Sequence, residues 1–309
     1  TFSSTVTFTP LSGTITNVTI NDSNALDLGA LTTTGDLTVT AGGAVTNSGT
    51  LVIPGTATIS ASGQAVTLDD SSNDFGTTVI TGANVAVTDT NAIILGASTV
   101  TGTYDVTAGG AITDSGTQEI TGVTTIAAGS GNDITLDTST NNFAAAVVIT
   151  SGNNVAITDE DAIVLGASTV SGTYGITAAG AVTDTGALAI TGVTTIAAGS
   201  GNNITLDHTS NNFQAAVQIT SGNNVTLVDA GAIDLGASTV SGTYAVTATS
   251  GGDITDSGVL AITGISTLTV AGGQSITLDQ SSTFGTVTFV ASSGTITNVT
   301  INDSNALDL

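Results

Sequence analysis

A single long period runs through this sequence and constrains its fold more than any other feature. The run TGVTTIAAGSGNDITLDTSTNNF, beginning at Thr121, returns as TGVTTIAAGSGNNITLDHTSNNF beginning at Thr191. GASTV stands at 96–100, 166–170 and 236–240, each time followed by a tyrosine at Tyr104, Tyr174 and Tyr244, while Phe75, Phe143, Phe213 and Phe284 mark a second module position. Self-similarity at a fixed period, here roughly 70 residues, is the signature of a chain whose units bury their apolar faces against their neighbours in a stack. Four such modules fit residues 1–309 as one continuous segment with no separate domain.

Two further levels of repetition surround the module. The segment SGTITNVTINDSNALDL at 12–28 recurs unchanged at 293–309, so the chain ends in the phase in which it began. That identity leads us to expect a longer array, or copies that stack end to end. Inside each module an apolar pair precedes a polar corner, as in Val155-Ala-Ile157-Thr-Asp159 and Ile204-Thr-Leu206-Asp-His208. The corners fall at Asp22, Asn47, Asp70, Asp89, Asp114, Thr138, Asp159, Asp184, His208, Asp229, Asp256, Gln280 and Asp303. Their spacing predicts an all-β parallel β-solenoid (β-helix) of about 23 residues per coil, three coils to a module. Asn-Gly and Asp-Gly hairpin signals are absent, which argues against an antiparallel sandwich or barrel.

Composition agrees with a narrow stacked core. The 309 residues include no Trp, Met or Cys, only 2 Pro, and 39 Gly, yet 40% are hydrophobic. Many of these are β-branched, so burial and strand preference are both available and disorder is disfavoured. Without cysteine there are no disulfides and no thiolate metal sites.

The charge balance excludes whole classes of partner. Against 24 acidic residues the chain has no Lys or Arg and a single His, giving a formal charge of −24. Phosphate neutralisation, the basis of nucleic-acid affinity, has nothing to work with, and anionic membranes are excluded on the same ground. No uninterrupted apolar run is long enough to span a bilayer, so membrane insertion is not expected. A chain this acidic attracts cations and stays soluble, which suits an extracellular or cell-surface setting.

Several constellations bear on chemistry. Asp22, Asp70, Asp89, Asp114, Asp159, Asp184, Asp229, Asp256 and Asp303 would stack as a corner ladder; hydrogen bonding to turn N–H groups is its ordinary use, and bridging by Ca²⁺ its functional one. No other cofactor is expected. His208, the one histidine, would have Asp184 and Asp229 as column neighbours, but other modules place Thr138 and Gln280 there, so it reads as a solvated corner rather than a catalytic base. GSGND at 129–133 resembles a calcium-binding nonapeptide repeat only faintly, because its next copy begins at Gly199 instead of following in tandem. The N-x-Ser/Thr sequons at Asn17, Asn21, Asn203, Asn224, Asn298 and Asn302 are chance matches of the kind expected in a chain rich in Asn and Thr. Runs such as Thr32-Thr33-Thr34 and Gly35-Asp-Leu-Thr-Val-Thr40 could form flat outward threonine ranks of the kind an ice-binding solenoid uses.

The stretch GDLTVTAGGAVTNSGTLVI at 35–53, with similar runs at 105–121 and 175–191, resembles the repeat style of filamentous-haemagglutinin-type exoproteins. That resemblance implies a right-handed β-helix in a secreted, very long fibrous adhesin or surface protein, exported through a partner outer-membrane pore. The residues therefore lead to a structural extracellular fibre whose partner is itself, or cell-surface and matrix polymers. An adhesin stalk is the alternative. A glycan-cleaving solenoid would need a cleft of clustered acids with cationic residues, and the acids here are spread at regular intervals.

Overall fold

A computed structural model describes residues 5–8, 13–306 and 308; Ser12, Leu307 and Leu309 of the repeated terminal segments lie outside the described residues. Every regular element among them is a β-strand, and every strand pairing is parallel. The β-solenoid expected from the repeats is the observed fold. Strands of two to ten residues alternate inward and outward side chains, as Val85–Asp89 and Val225–Asp229 do, so each coil lays a few aliphatic side chains on those of the coil before it. Fully burying each Val, Leu or Ile stabilises the fold by roughly 1.5–3 kcal/mol.

The chain forms two compact units, residues 1–153 and 154–309. In the first, one ladder of hydrogen-bonded positions runs Leu26, Val45, Val66, Val85, Tyr104, Thr124, Val147. A second runs Val18, Leu37, Ala57, Thr78, Leu95, Asp114. The second unit repeats the arrangement with Ile163, Val182, Ile204, Val225, Tyr244, Ser266, Val287 and Val155, Tyr174, Thr194, Val217, Leu235, Asp256.

Register corrects the coil length. Val85, Tyr104, Thr124 and Val147 are successive positions of one ladder, and Thr78 is followed by Leu95 in the other. The coil is therefore about 20 residues rather than about 23, and a module holds about three and a half coils rather than three. Val18 and Val85 open equivalent segments, VTIND and VAVTD, yet they stand in different ladders: Val85 falls between the third and fourth coil steps counted from Val18. In the second unit Val225 likewise falls between the third and fourth steps from its counterpart Val155.

A short third strand completes each coil, and its place changes with the module. Leu31–Thr32 lies where the first unit's chain passes from the first ladder to the second, whereas Ser98–Val100 and Gln118–Ile120 lie on the return passage. In the second unit the two positions are separate small sheets, Ser168–Val170 with Leu188–Ile190 and Asn212–Phe213, and Ser238–Val240 with Leu260–Ile262.

Corners between long and short strands are tight enough to demand glycine. A Cβ on Gly186 would meet the backbone N of Ala167 in the coil before it, and its counterparts Gly49, Gly116 and Gly258 are crowded in the same way. Gly129 and Gly199 take φ of +81° in the one-turn loops that open the longest coil step, a conformation other residues rarely adopt. Thr33 turns inward and donates to the Gly35 carbonyl oxygen at 2.9 Å, so Thr32-Thr33-Thr34 is not an outward rank. The outward rank from Thr38 to Thr58 is broken at Val79.

Candidate functional site

The expected ladder of stacked carboxylates does not form. Asp22, Asp89, Asp159 and Asp229 are paired in register with Ala41, Ala108, Ala178 and Ala248. Asp114, Asp184 and Asp256 stand on Leu95, Leu165 and Leu235, as Asn47 stands on Leu28. The physical reason is the shorter coil: the steps from Asp22 to Asn47 and from Asp89 to Asp114 exceed it, so the strand register sets none of these aspartates on another.

The first corner buries its carboxylate. Asp22, Asp89 and Asp159 are 2% exposed and Asp229 is fully buried, following the strand parity that aims them inward. In each, one oxygen caps the turn by accepting the N–H two residues on: Asn24 donates to Asp22 at 3.2 Å, Asn91 to Asp89 and Asp161 to Asp159 at 2.8 Å, and Gly231 to Asp229 at 2.6 Å. At Asp89 and Asp229 the other oxygen reaches the preceding coil, where the Phe75 N–H donates to Asp89 at 2.6 Å and the Phe213 N–H to Asp229 at 2.7 Å. Burial pushes the Asp89 and Asp229 carboxyls above the usual range despite these donors, and nearby Asp74 adds to the effect at Asp89.

The second corner works in the opposite direction, gripping the following coil. Asp114 accepts the N–H groups of Asp137 and Thr138 at 3.2 Å each and the Asn141 side-chain amide at 2.6 Å. Asp184 repeats the grip on Asp207, His208 and Asn211, and Asp256 on Asp279 and Gln280. Burial pushes Asp256 up as well, with the Asp279 charge adding to it. Asp70 caps its own turn through the Ser72 N–H, and Asp303 does the same for Asn305. His208 lies beside Asp184 as expected, but Asp229 turns to Phe213 and Gly231 instead; the imidazole Nδ1 accepts the Ser210 N–H at 3.3 Å and closes a local turn.

These arrangements fit backbone capping and do not fit a calcium cage. Among the described residues no three carboxylate or imidazole groups converge, and both oxygens of Asp89, Asp114, Asp184 and Asp229 point at N–H donors, where a cation would be repelled. Two of the sequon residues also cap backbone of a neighbouring coil. Asn17 accepts the Asp36 N–H at 2.7 Å, and Asn224 accepts both the N–H and hydroxyl of Thr243 at 3.0 Å.

Two recurring stitches were not read from the sequence. Asn141 and Asn211, fully buried, accept the N–H of Gln118 and Leu188 at 2.9 Å while donating to Asp114 and Asp184; Asn73 accepts that of Leu51 at 2.8 Å. The signal was their constant place two positions before Phe75, Phe143 and Phe213. Ser98 and Ser238, in the GASTV segments, donate to the carbonyl two positions back and accept Ile80 and Ile219 N–H groups at 3.1 Å. Tyr104, Tyr174 and Tyr244 extend toward Ser98, Ser168 and Ser238, and full burial pushes their phenols far up.

A groove in the second unit, lined by Thr239, Ile262, Phe284 and Asn305 among others, has no titratable side chain in its lining. No described helix is long and apolar enough to cross a membrane. No curated protein and no solved structure matches the chain. Four consecutive stretches, residues 15–81, 82–150, 152–220 and 222–291, match the family described as Repeats of unknown function (DUF5649). These matches take in most of the sequence and coincide with the four modules seen in it, so the chain belongs to the DUF5649 repeat family.

Proposed function

We propose that this chain is a structural element of an extracellular or cell-surface filament, built by continuing one coil stack from module to module. The observation that carries the proposal is the use of polar residues: the corner aspartates, the buried asparagines and the GASTV serines hold one coil to the next. A non-catalytic role is part of the reading, since His208 closes a turn and its counterparts are Thr138 and Gln280. So is a partner set of further copies or surface polymers, without nucleic acid, membrane insertion or a cofactor. The stalk of a secreted adhesin is the second form, favoured by the resemblance of residues 35–53 to filamentous-haemagglutinin-type repeats. Electron microscopy of native material decides between them. Thin unbranched fibres support the filament, knobbed rods the stalk, and compact particles overturn both.

A further inference from the structure

A module that ends half a coil out of phase cannot present the same surface on the same side as the module before it. We infer that the true repeating unit of an array of these modules is a pair, about 140 residues and about seven coils, so that any surface a partner recognises is displayed alternately on two sides. The argument is one of register. In the first unit the strand Val18–Asp22 belongs to the ladder through Leu37, Ala57 and Thr78, while its counterpart Val85–Asp89 belongs to the ladder through Val66 and Tyr104. In the second unit Val155–Asp159 leads to Tyr174, Thr194 and Val217, while Val225–Asp229 stacks between Ile204 and Tyr244.

The short third strand supports the exchange independently. It follows the first ladder in one module and the second ladder in the next, which gives the separate small sheets at Ser168–Val170 and Ser238–Val240. Two successive half-coil offsets restore the phase. With adjacent strands roughly 4.8 Å apart, the pair advances on the order of 34 Å, and each module on the order of 17 Å. A module surface is thus repeated along each side at the pair spacing, with the opposite side filled halfway between. This rests on the array proposed above and makes it two-sided rather than one-sided.

The chain has no cysteine, so introduced pairs report register without competition. Thr158 and Thr177 are outward-facing partners in neighbouring coils, within the Cα separation a disulfide needs. Three whole coils per module would instead stack Asp159 on Asp184 and place Thr158 beside Thr183. Under mild oxidation T158C/T177C should cross-link in most molecules and T158C/T183C should not, with T183C/T205C as the positive control for position 183. Cross-linking of T158C/T183C, or failure of T158C/T177C in a chain with unchanged far-ultraviolet dichroism, overturns the inference. Should those substitutions impair folding, T88C/T107C against T88C/T113C tests the same register in the first unit. The result concerns register within one chain, so it stands or falls separately from the microscopy that tests the filament.

Discussion

Asp229 joins two coils through both of its oxygens, in a chain with no Lys or Arg to offset its charge. Asp229→Ala orphans the N–H groups of Phe213 and Gly231, and at about 1–3 kcal/mol for each buried donor left unpaired it should cost several kcal/mol in urea unfolding. Asp229→Asn keeps an acceptor and removes the buried charge, so its loss should be much smaller. Gln118 offers a test in which opposing effects nearly cancel. It is fully buried where other modules carry Leu188 and Leu260; its Oε1 has no partner, while its Nε2 donates to the carbonyl oxygens of Leu95, Gly96 and Gly116. Gln118→Leu exchanges those bonds for apolar burial and removal of the orphaned oxygen, so it should shift stability by no more than about 1 kcal/mol, read from the unfolding midpoint. The capping role of the aspartates was legible in the sequence as turn chemistry. The buried Asn and Ser stitches were not, because Asn and Ser are common throughout the chain and only the tertiary register shows which of them face a neighbouring N–H.

Among the elements, the corners are less tolerant than the strands. A strand such as Thr194–Ala197 accepts any β-branched residue on its outer face, since that position only has to fit a pleated surface. At the Gly186 corner a methyl group would meet the Ala167 backbone, and neither backbone can yield without straining the adjacent Thr185 N–H bond to Leu165. Gly186→Ala should therefore cost about 2 kcal/mol or more, read as a lower thermal midpoint, whereas Thr195→Val on an outward strand position should stay within about 0.5 kcal/mol. Strand identity and inward parity were readable from apolar alternation. Which strand lies beside which was not, because alternation has a period of two and carries no information about coil length.

For the whole molecule, charge sets the response to solution conditions. The folded-state pKa values of Asp89, Asp229 and Asp256 are raised, chiefly by burial, so the folded chain binds protons more tightly than the unfolded one. Stability from these groups grows as pH falls through their raised values and is complete below the ordinary aspartate value of 3.8. Asp27 works the other way: hydroxyl donors led by Thr5 lower its value, and its contribution is lost as pH falls through that lowered value. Scanning calorimetry should thus find the midpoint rising as pH falls toward 3.8, with decline only under stronger acid; a midpoint falling steadily from pH 8 downward would contradict the assignment. Because both oxygens of Asp89, Asp114, Asp184 and Asp229 already face N–H donors, adding a chelator at constant ionic strength should leave the midpoint unchanged.

Repetition by itself dictated the architecture. A fixed module period, β-branched alternation and glycine-rich corners leave a coil stack as the arrangement that places like on like, and the absence of Lys and Arg settles the electrostatics before any fold is known. The length of a coil, and with it the neighbours of every corner, came only from the folded chain. Module length and coil length are set by different forces, the first by repetition of the sequence and the second by how the strands close around the core and hydrogen-bond to the coil before. Since one module makes about three and a half coils, Asp89 meets Ala108 and Asp114 meets Leu95.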